Sequence, residues 1–454
     1  MHEVSLSVFF YKYRKWLAFF SFIFSMFVFA ILVFSVKPVQ DDYATLALVS
    51  ENGYINFLSS SWQSHGGNIW PMALHAIVMV SALESFNFIS ISIFVLLTIL
   101  LIIGSITYLY SKLLQQTVVY KKWTLYILLL GTLLGFEGVF TPGLIGSYLF
   151  SLASLVHLWP VCFFVIGISK AISDRKYMLG LFLLGIVTGN GNISESVAFI
   201  LTILLIKKSK KLNNSRTETA SNINFFFSGL LFGTLLIILA PGFWVRANSV
   251  NSTSPESLYT YFLDFIHSFL IFTVDLLSHP VLYIFVILGA AYGKKVFCTA
   301  TSDFYFPVLE ILFVSLFSCL VVGSVFAYPA WHQNLGLLFL LPVCAFYLGT
   351  KISKQLSKLL RSSQIFLLIL FICVLFISSI RASLLLLDRS SNWKISNDLN
   401  ICKIRFNDGI GIQNPEILYP PFSLGVEEVQ SWPWISDAYI VWIKNNNTAI
   451  SKKC

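Results

Sequence analysis

The stretch WLAFFSFIFSMFVFAILVFSVKPVQDDY, residues 16–43, decides what kind of protein this is. Residues 16–36 carry no charge, and as an α-helix they reach about 30 Å, the thickness of a bilayer's hydrocarbon core. Lys12, Arg14 and Lys15 precede the run, and Asp41 and Asp42 follow it. The run is longer than a signal-peptide core and no small-residue cleavage site follows it, so it reads as a retained membrane helix. The rest of the 454-residue chain is of the same kind: 57% hydrophobic, 16% aromatic with 43 Phe, and only 11% charged. Its mean hydropathy of +0.79 excludes an ordinary soluble domain. A net charge of +9 would point to nucleic acid in a soluble protein, but here Lys and Arg fall in short clusters between apolar runs, the pattern that sets membrane topology.

Apolar runs near the length of a bilayer, bounded by basic flanks, predict an all-α polytopic membrane protein with about eleven transmembrane helices. They centre on 16–36, 86–110, 123–141, 148–168, 177–190, 193–206, 222–241, 276–293, 305–325, 334–350 and 364–386. The pair 177–190 and 193–206 is short and split by TGNGNISES, which suits a re-entrant hairpin or two tilted half-helices. With the N-terminus in the cytoplasm, twenty of the 30 Lys and Arg fall on the inner side, in six compact clusters from Lys12 to Arg361. An odd span count then puts the C-terminus outside. Two regions follow: a membrane core, 1–386, whose first outer loop is 37–85, and an outer C-terminal segment, 387–454. In the first outer loop, YATLALVSENGYINFLSSSW and IWPMALHAIVMVSAL have the look of helices lying along the membrane interface. Residues 241 to about 275 form another long outer stretch, and 387–454 a small cap rich in Trp and Tyr.

The polar residues at membrane depth are few. Asp41 and Asp42 sit where hydrocarbon gives way to water. They read either as a solvated turn after Pro38 or as a like-charged pair in which one pKa is raised, poising a carboxylate to take a proton from a hydroxyl. Glu51 follows close behind. Glu137, in GFEGVFTPGLIGSY, and Glu195, in GNGNISESVAF, are ionisable groups within or at the ends of apolar runs, beside glycines that break helices. Such groups face polar cavities, because irregular backbone is tolerated in a membrane only where protein or water satisfies it. Arg246, in LAPGFWVRANS, either snorkels to headgroups or grips a phosphate beside Phe243 and Trp244. Tyr328, Trp331 and His332 form an aromatic edge that serves as an interfacial belt or a surface for stacking sugars. Lys452 and Lys453 are an anion contact or simply solvated. Cys402 and Cys454, placed outside, either pair, which would contribute roughly 4 kcal/mol in the chain-entropy model, or remain thiols. No phosphate-binding glycine loop, dinucleotide fingerprint or zinc spacing is present, and no metal triplet is evident, so no cofactor is expected and metal dependence stays open.

An acidic first outer loop carrying QDDY, followed by interfacial helices, resembles the GT-C class of polytopic glycosyltransferases. The APGxxxR-like element at Ala240 to Arg246, the NISES break and the KKC at 452–454 resemble, more closely, the serotype-converting O-antigen glucosyltransferases. That resemblance covers the layout of the whole chain and rests on these short motifs. It implies transfer of glucose from undecaprenyl phosphate glucose to a hydroxyl of lipid-linked O-antigen, on the periplasmic face of a bacterial inner membrane. It also implies Asp41 or Asp42 as base or acceptor-orienting group, with Lys452 and Lys453 in support. A flippase for a lipid-linked saccharide and an O-antigen polymerase are the rival expectations.

Overall fold

A computed structural model describes residues 41–85, 89–113, 154–172, 177–207, 217–250, 258–278 and 302–325, with isolated positions elsewhere. Among the described residues every regular element is helical. Three helical stretches, Ser154–Ala171, Thr219–Leu239 and Tyr259–Ser278, are long and apolar enough to cross a membrane. The predicted runs at 16–36, 123–141 and 364–386, and the cap at 387–454, lie outside the described residues apart from single positions.

Residues 41–85 hold two helices, as their apolar spacing predicts, and these pack as a hairpin, α1 (Asp41–Ser64) and α2 (Ile69–Ser85). α1 is not straight. Gly53 has φ 76 and ψ 164, a backbone conformation essentially confined to glycine, and it bends the helix. The bend decides what the hairpin brings together. The Tyr54 hydroxyl donates to the Ala73 carbonyl at 3.3 Å, and Asp42 reaches His75 at 2.8 Å. In a straight helix Asp42 would lie about 18 Å along the axis from Tyr54, yet Ala73 and His75 are separated by only about 3 Å of rise. Only a chain that turns back at Gly53 can make both contacts. Val49, Phe57 and Ala76 fill the space between the halves.

α3 (Ile89–Leu113) lies against α4 (Trp159–Ala171), which is preceded by one turn of π-helix at Ser154–Leu158. Trp159 joins these layers. It stacks on Phe94 at 5.6 Å, meets Trp70 at 6.2 Å and donates its indole N–H to Thr98 Oγ1 at 2.9 Å. The short pair is resolved as α5 (Met178–Gly189) and α6 (Ile193–Lys207), reaching about 18 Å and about 22 Å. They part after the turn at 190–192 rather than zipping into a hairpin. α6 packs on α10 (Ser302–Val325), and α5 packs along α7 (Thr217–Leu239).

α5 and α7 approach backbone to backbone, and small residues permit it. Gly185 and Gly189 on α5 meet Gly229 and Gly233 on α7, two four-residue glycine spacings facing each other. A Cβ at Gly185, Gly189, Gly229 or Gly233 would lie 2.0–2.3 Å from a carbonyl oxygen of the opposite helix. In a bilayer the hydrophobic effect does not drive helices together, so close backbone approach of this kind is a main source of their association. The matching order of contacts, Phe182 with Gly229 and Ile186 with Gly233, makes the two helices parallel, and α6 carries the chain back from the end of one towards the start of the other. The aromatic core beside them stacks Phe164 on Phe199 at 3.9 Å and sets Phe226 against Phe164 and Gly167 of α4.

The stretch 241–275, expected as an outer loop, instead holds α8 (Pro241–Val250) and α9 (Leu258–Ser278). The reason is legible in α9 itself. Phe265, Phe269 and Phe272 recur at helical spacing and turn towards the core, while Tyr259, Phe262, Leu263, Ile266 and Leu270 stay exposed.

Candidate polar site at one end of the bundle

Three polar segments far apart in sequence meet at the end of the bundle where α5 and α7 finish. They are the hairpin turn SHGGN (64–68), the turn NGN before α6 (190–192), and the start of α8. Asn190 is the central clamp and is 2% exposed. Its Oδ1 accepts from the Ile69 amide at 2.9 Å and its Nδ2 donates to the Gly67 carbonyl at 2.7 Å. Asn68 returns the contact, donating to the Gly191 carbonyl at 2.6 Å, and the Trp70 indole donates to the Val187 carbonyl at 2.9 Å. Two glycines make room: a Cβ on Gly67 would sit 2.4 Å from the Ile237 Cα, and one on Gly242 would sit 2.7 Å from the His65 and Gly66 nitrogens. Replacing Asn190 with Ala removes its bonds to the Ile69 amide and the Gly67 carbonyl, which keep only their mutual bond at 2.9 Å, a loss of about 1–3 kcal/mol. The expected result is an early proteolytic cut within 41–85 and a lower thermal midpoint, read by limited proteolysis and melting of the purified protein.

Arg246 lies one helical turn beyond Gly242, on the same face of α8, so it is directed to the hairpin turn. The turn's own His65 feels it. His65 keeps solvent access, yet its pKa is held below the ordinary histidine value, first by desolvation in the packed turn and second by repulsion from the Arg246 guanidinium. The folded state therefore binds this proton less tightly than the unfolded chain. Its contribution to stability is complete above about pH 6.5 and is lost as pH falls below that value towards the lowered folded pKa. Arg246→Gln removes the repulsion, so the drop in thermal midpoint between about pH 7.5 and about pH 5.5 should be smaller in this variant than in the wild type. An equal drop in both proteins would contradict the coupling. Trp244 is exposed beside Arg246 and edge-on to Phe243 at 5.2 Å.

Two buried carboxylate–imidazole pairs occupy the interior. In the hairpin, His75 Nε2 meets Asp42 Oδ1 at 2.8 Å and His75 Nδ1 meets Thr45 Oγ1 at 3.1 Å. Asp42 and His75 are fully buried and Thr45 nearly so. Asp42 and Thr45 are three apart on α1 and so share a face. In the bundle, His157 on the π-helical turn lies 3.7 Å from Glu195 and within 2.8 Å of the Asn192 amide. A π-helical turn displaces a side chain from its regular position, a feature frequent at functional sites.

Of the residues singled out from sequence, Asp42, Glu195 and Arg246 lie in or beside this arrangement, and Glu51 is exposed on α1 two residues before the bend. Asp41 opens α1, and its side chain lies outside the described residues. Glu137, Tyr328, Trp331, His332, Cys402, Cys454, Lys452 and Lys453 also lie outside them. Sequence reasoning passed over His65, His75, His157, Asn68, Asn190 and Asn192. The mirrored Gly/Asn turns GGN and GNGN and two histidines within apolar helices were the available signals. Among the described residues no three His, Cys, Asp or Glu side chains gather as a metal site. The chain matches no protein-family model, no curated protein and no solved structure.

Proposed function

We propose that this chain is a membrane-embedded glycosyltransferase of the GT-C kind, moving glucose from undecaprenyl phosphate glucose to a hydroxyl of lipid-linked O-antigen at the periplasmic face of a bacterial inner membrane. The observation that carries the reading is the convergence of the hairpin turn, the NGN turn and the start of α8, which sets Arg246, His65 and exposed Trp244 at one end of an apolar bundle. An arginine beside an exposed ring suits a sugar phosphate whose lipid tail stays in the bilayer. The opposite end carries the basic residues: Lys170 near the end of α4 and Lys207 closing α6 lie away from this convergence. That separation supports a cytoplasmic face at the Lys170 and Lys207 end and an outer face at the convergence, while α9 adds to the eleven predicted runs a further helix long and apolar enough to span.

In this reading Arg246 and His65 hold the donor phosphate while the acceptor hydroxyl attacks the anomeric carbon. The bond to the phosphate oxygen breaks, the lipid phosphate leaves with the electron pair, and the hydroxyl proton passes to a carboxylate of the Asp41–Asp42 tandem. Asp42, already bonded to His75, braces the start of α1, and the bend at Gly53 directs it. Glu51, Glu137, Tyr328, Trp331 and His332 are further candidates for sugar contacts, and Lys452 and Lys453 for support from the tail.

Expression in a bacterium with a defined O-antigen, followed by sugar-linkage analysis, tests the reading. Added hexose on an unchanged ladder of chain lengths is the expected result. A ladder lost on deletion from the native host would favour a polymerase, and unchanged lipid-saccharide flux with both Asp41→Asn and Asp42→Asn in place would favour a flippase.

A further inference from the structure

We propose that His157, Asn192 and Glu195 form a proton-operated latch at the start of α6, on the loop that holds the α1–α2 hairpin. The inference rests on hydrogen-bond inventory and is independent of the reaction the protein performs. Asn192 is the N-cap of α6. Its Oδ1 accepts from the Ser194 amide at 2.8 Å and from the Ser194 hydroxyl at 2.7 Å. Those two donors fix which end of the amide is oxygen, so the group facing His157 Nδ1 at 2.8 Å is the NH2, a donor. His157 Nδ1 must then accept, and the ring is held neutral with its proton on Nε2. Glu195 Oε1 stands 3.7 Å from the same Nδ1, beyond hydrogen-bond distance but placed to pair with an imidazolium.

A proton arriving at Nδ1 sets one N–H against another at 2.8 Å, and the arrangement cannot persist. Turning the Asn192 amide over lets its oxygen accept from His157 Nδ1–H, while the imidazolium gains the Glu195 carboxylate. The same turn takes the oxygen away from Ser194, so α6 loses its N-cap. The latch therefore has two states: neutral His157 with α6 capped, or charged His157 paired to Glu195 with the first turn of α6 opened. The change is passed on directly. Asn190 and Gly191, the residues before Asn192, hold Gly67, Asn68 and Ile69 of the hairpin turn. Gly191 has no slack to absorb it, since a Cβ there would lie 2.0 Å from Pro160, three residues after His157.

Among the described residues, titratable groups near Glu195 on neighbouring elements include the thiols of Cys162 on α4 and Cys319 on α10, both buried. Asp42 and His75 satisfy one another within the hairpin.

Hydrogen exchange of the full-length protein in lipid nanodiscs, read on peptides covering 190–199 and 64–72 and corrected for intrinsic rates, tests the latch. As pH is lowered from about 7.5 to about 5.5, the wild type should exchange about fivefold faster at the start of α6, the size of a lost N-cap, with a smaller rise at 64–72. Glu195→Gln, near-isosteric and unable to pair with an imidazolium, should displace the transition to lower pH. His157→Asn, whose amide oxygen replaces Nδ1 as acceptor, should abolish it. Identical pH profiles in wild type and Glu195→Gln would overturn the proposal, as would a wild type with no transition. If His157→Asn fails to fold, Glu195→Gln alone decides.

Discussion

Gly229→Leu is expected to abolish recovery of folded protein. The Cβ alone would stand 2.0 Å from the Phe182 carbonyl oxygen, and the contact is backbone on both sides, so no rotamer change relieves it. α5 and α7 must part along their length, breaking the Gly185, Gly189 and Gly233 contacts in turn and pulling Asn190 away from the hairpin. Overpacking of this kind costs about 3 kcal/mol or more. Gly180→Leu is the control: it sits on α5, the partner helix, with nothing within 4 Å of its added Cβ, and should behave as wild type. Monodispersity in detergent and the thermal midpoint read both, and a well-folded Gly229→Leu would refute the close approach of these helices.

Asp42→Ala is expected to cost about 3–5 kcal/mol, because it leaves His75 Nε2 buried without the Asp42 side chain it meets. His75→Ala should cost a similar amount for the converse reason. The informative variant is the double replacement Asp42→Leu with His75→Phe, which removes both polar groups and fills their space. It should be less destabilised than either single alanine variant, since much of the single-mutant loss is the penalty of an orphaned buried group. Gly53→Ala should reproduce the Asp42 phenotype from eleven residues away, because an alanine cannot hold φ 76 with ψ 164 and the straightened helix carries Asp42 off His75. Additive losses in the double variant would contradict a paired Asp42 and His75.

What the sequence makes legible is what hydropathy and helix-breaking residues encode. The helices at 89–113, 154–171, 193–207 and 302–325 follow from apolar run length, and the existence of α1 and α2, though not their pairing, from apolar spacing. The Pro-Gly before Arg246 and the NGN before Glu195 do mark the joints where polar segments meet. What stays hidden is pairing across distance. No periodicity tells that Asp42 will find His75 rather than water, because that contact depends on the sign of one φ angle at Gly53. The two glycine spacings in GIVTG and GLLFG were visible letters, yet their meaning depends on each other, and only the fold puts them face to face. Leu258–Ser278 escaped because Asp264, His267 and Asp275 interrupt its hydropathy while leaving its aromatic face intact.

The most direct test of the proposed chemistry is transfer by the purified protein in proteoliposomes containing radiolabelled polyprenyl-phosphate glucose and a lipid-linked O-antigen acceptor. The account predicts label in the acceptor with wild type, a loss of at least about tenfold with Arg246→Ala, equivalent to roughly 1.4 kcal/mol of lost phosphate grip, and no loss with the exposed, distant Leu179→Ala. Wild-type protein that is folded and monodisperse yet leaves all the label on the polyprenyl phosphate would contradict it.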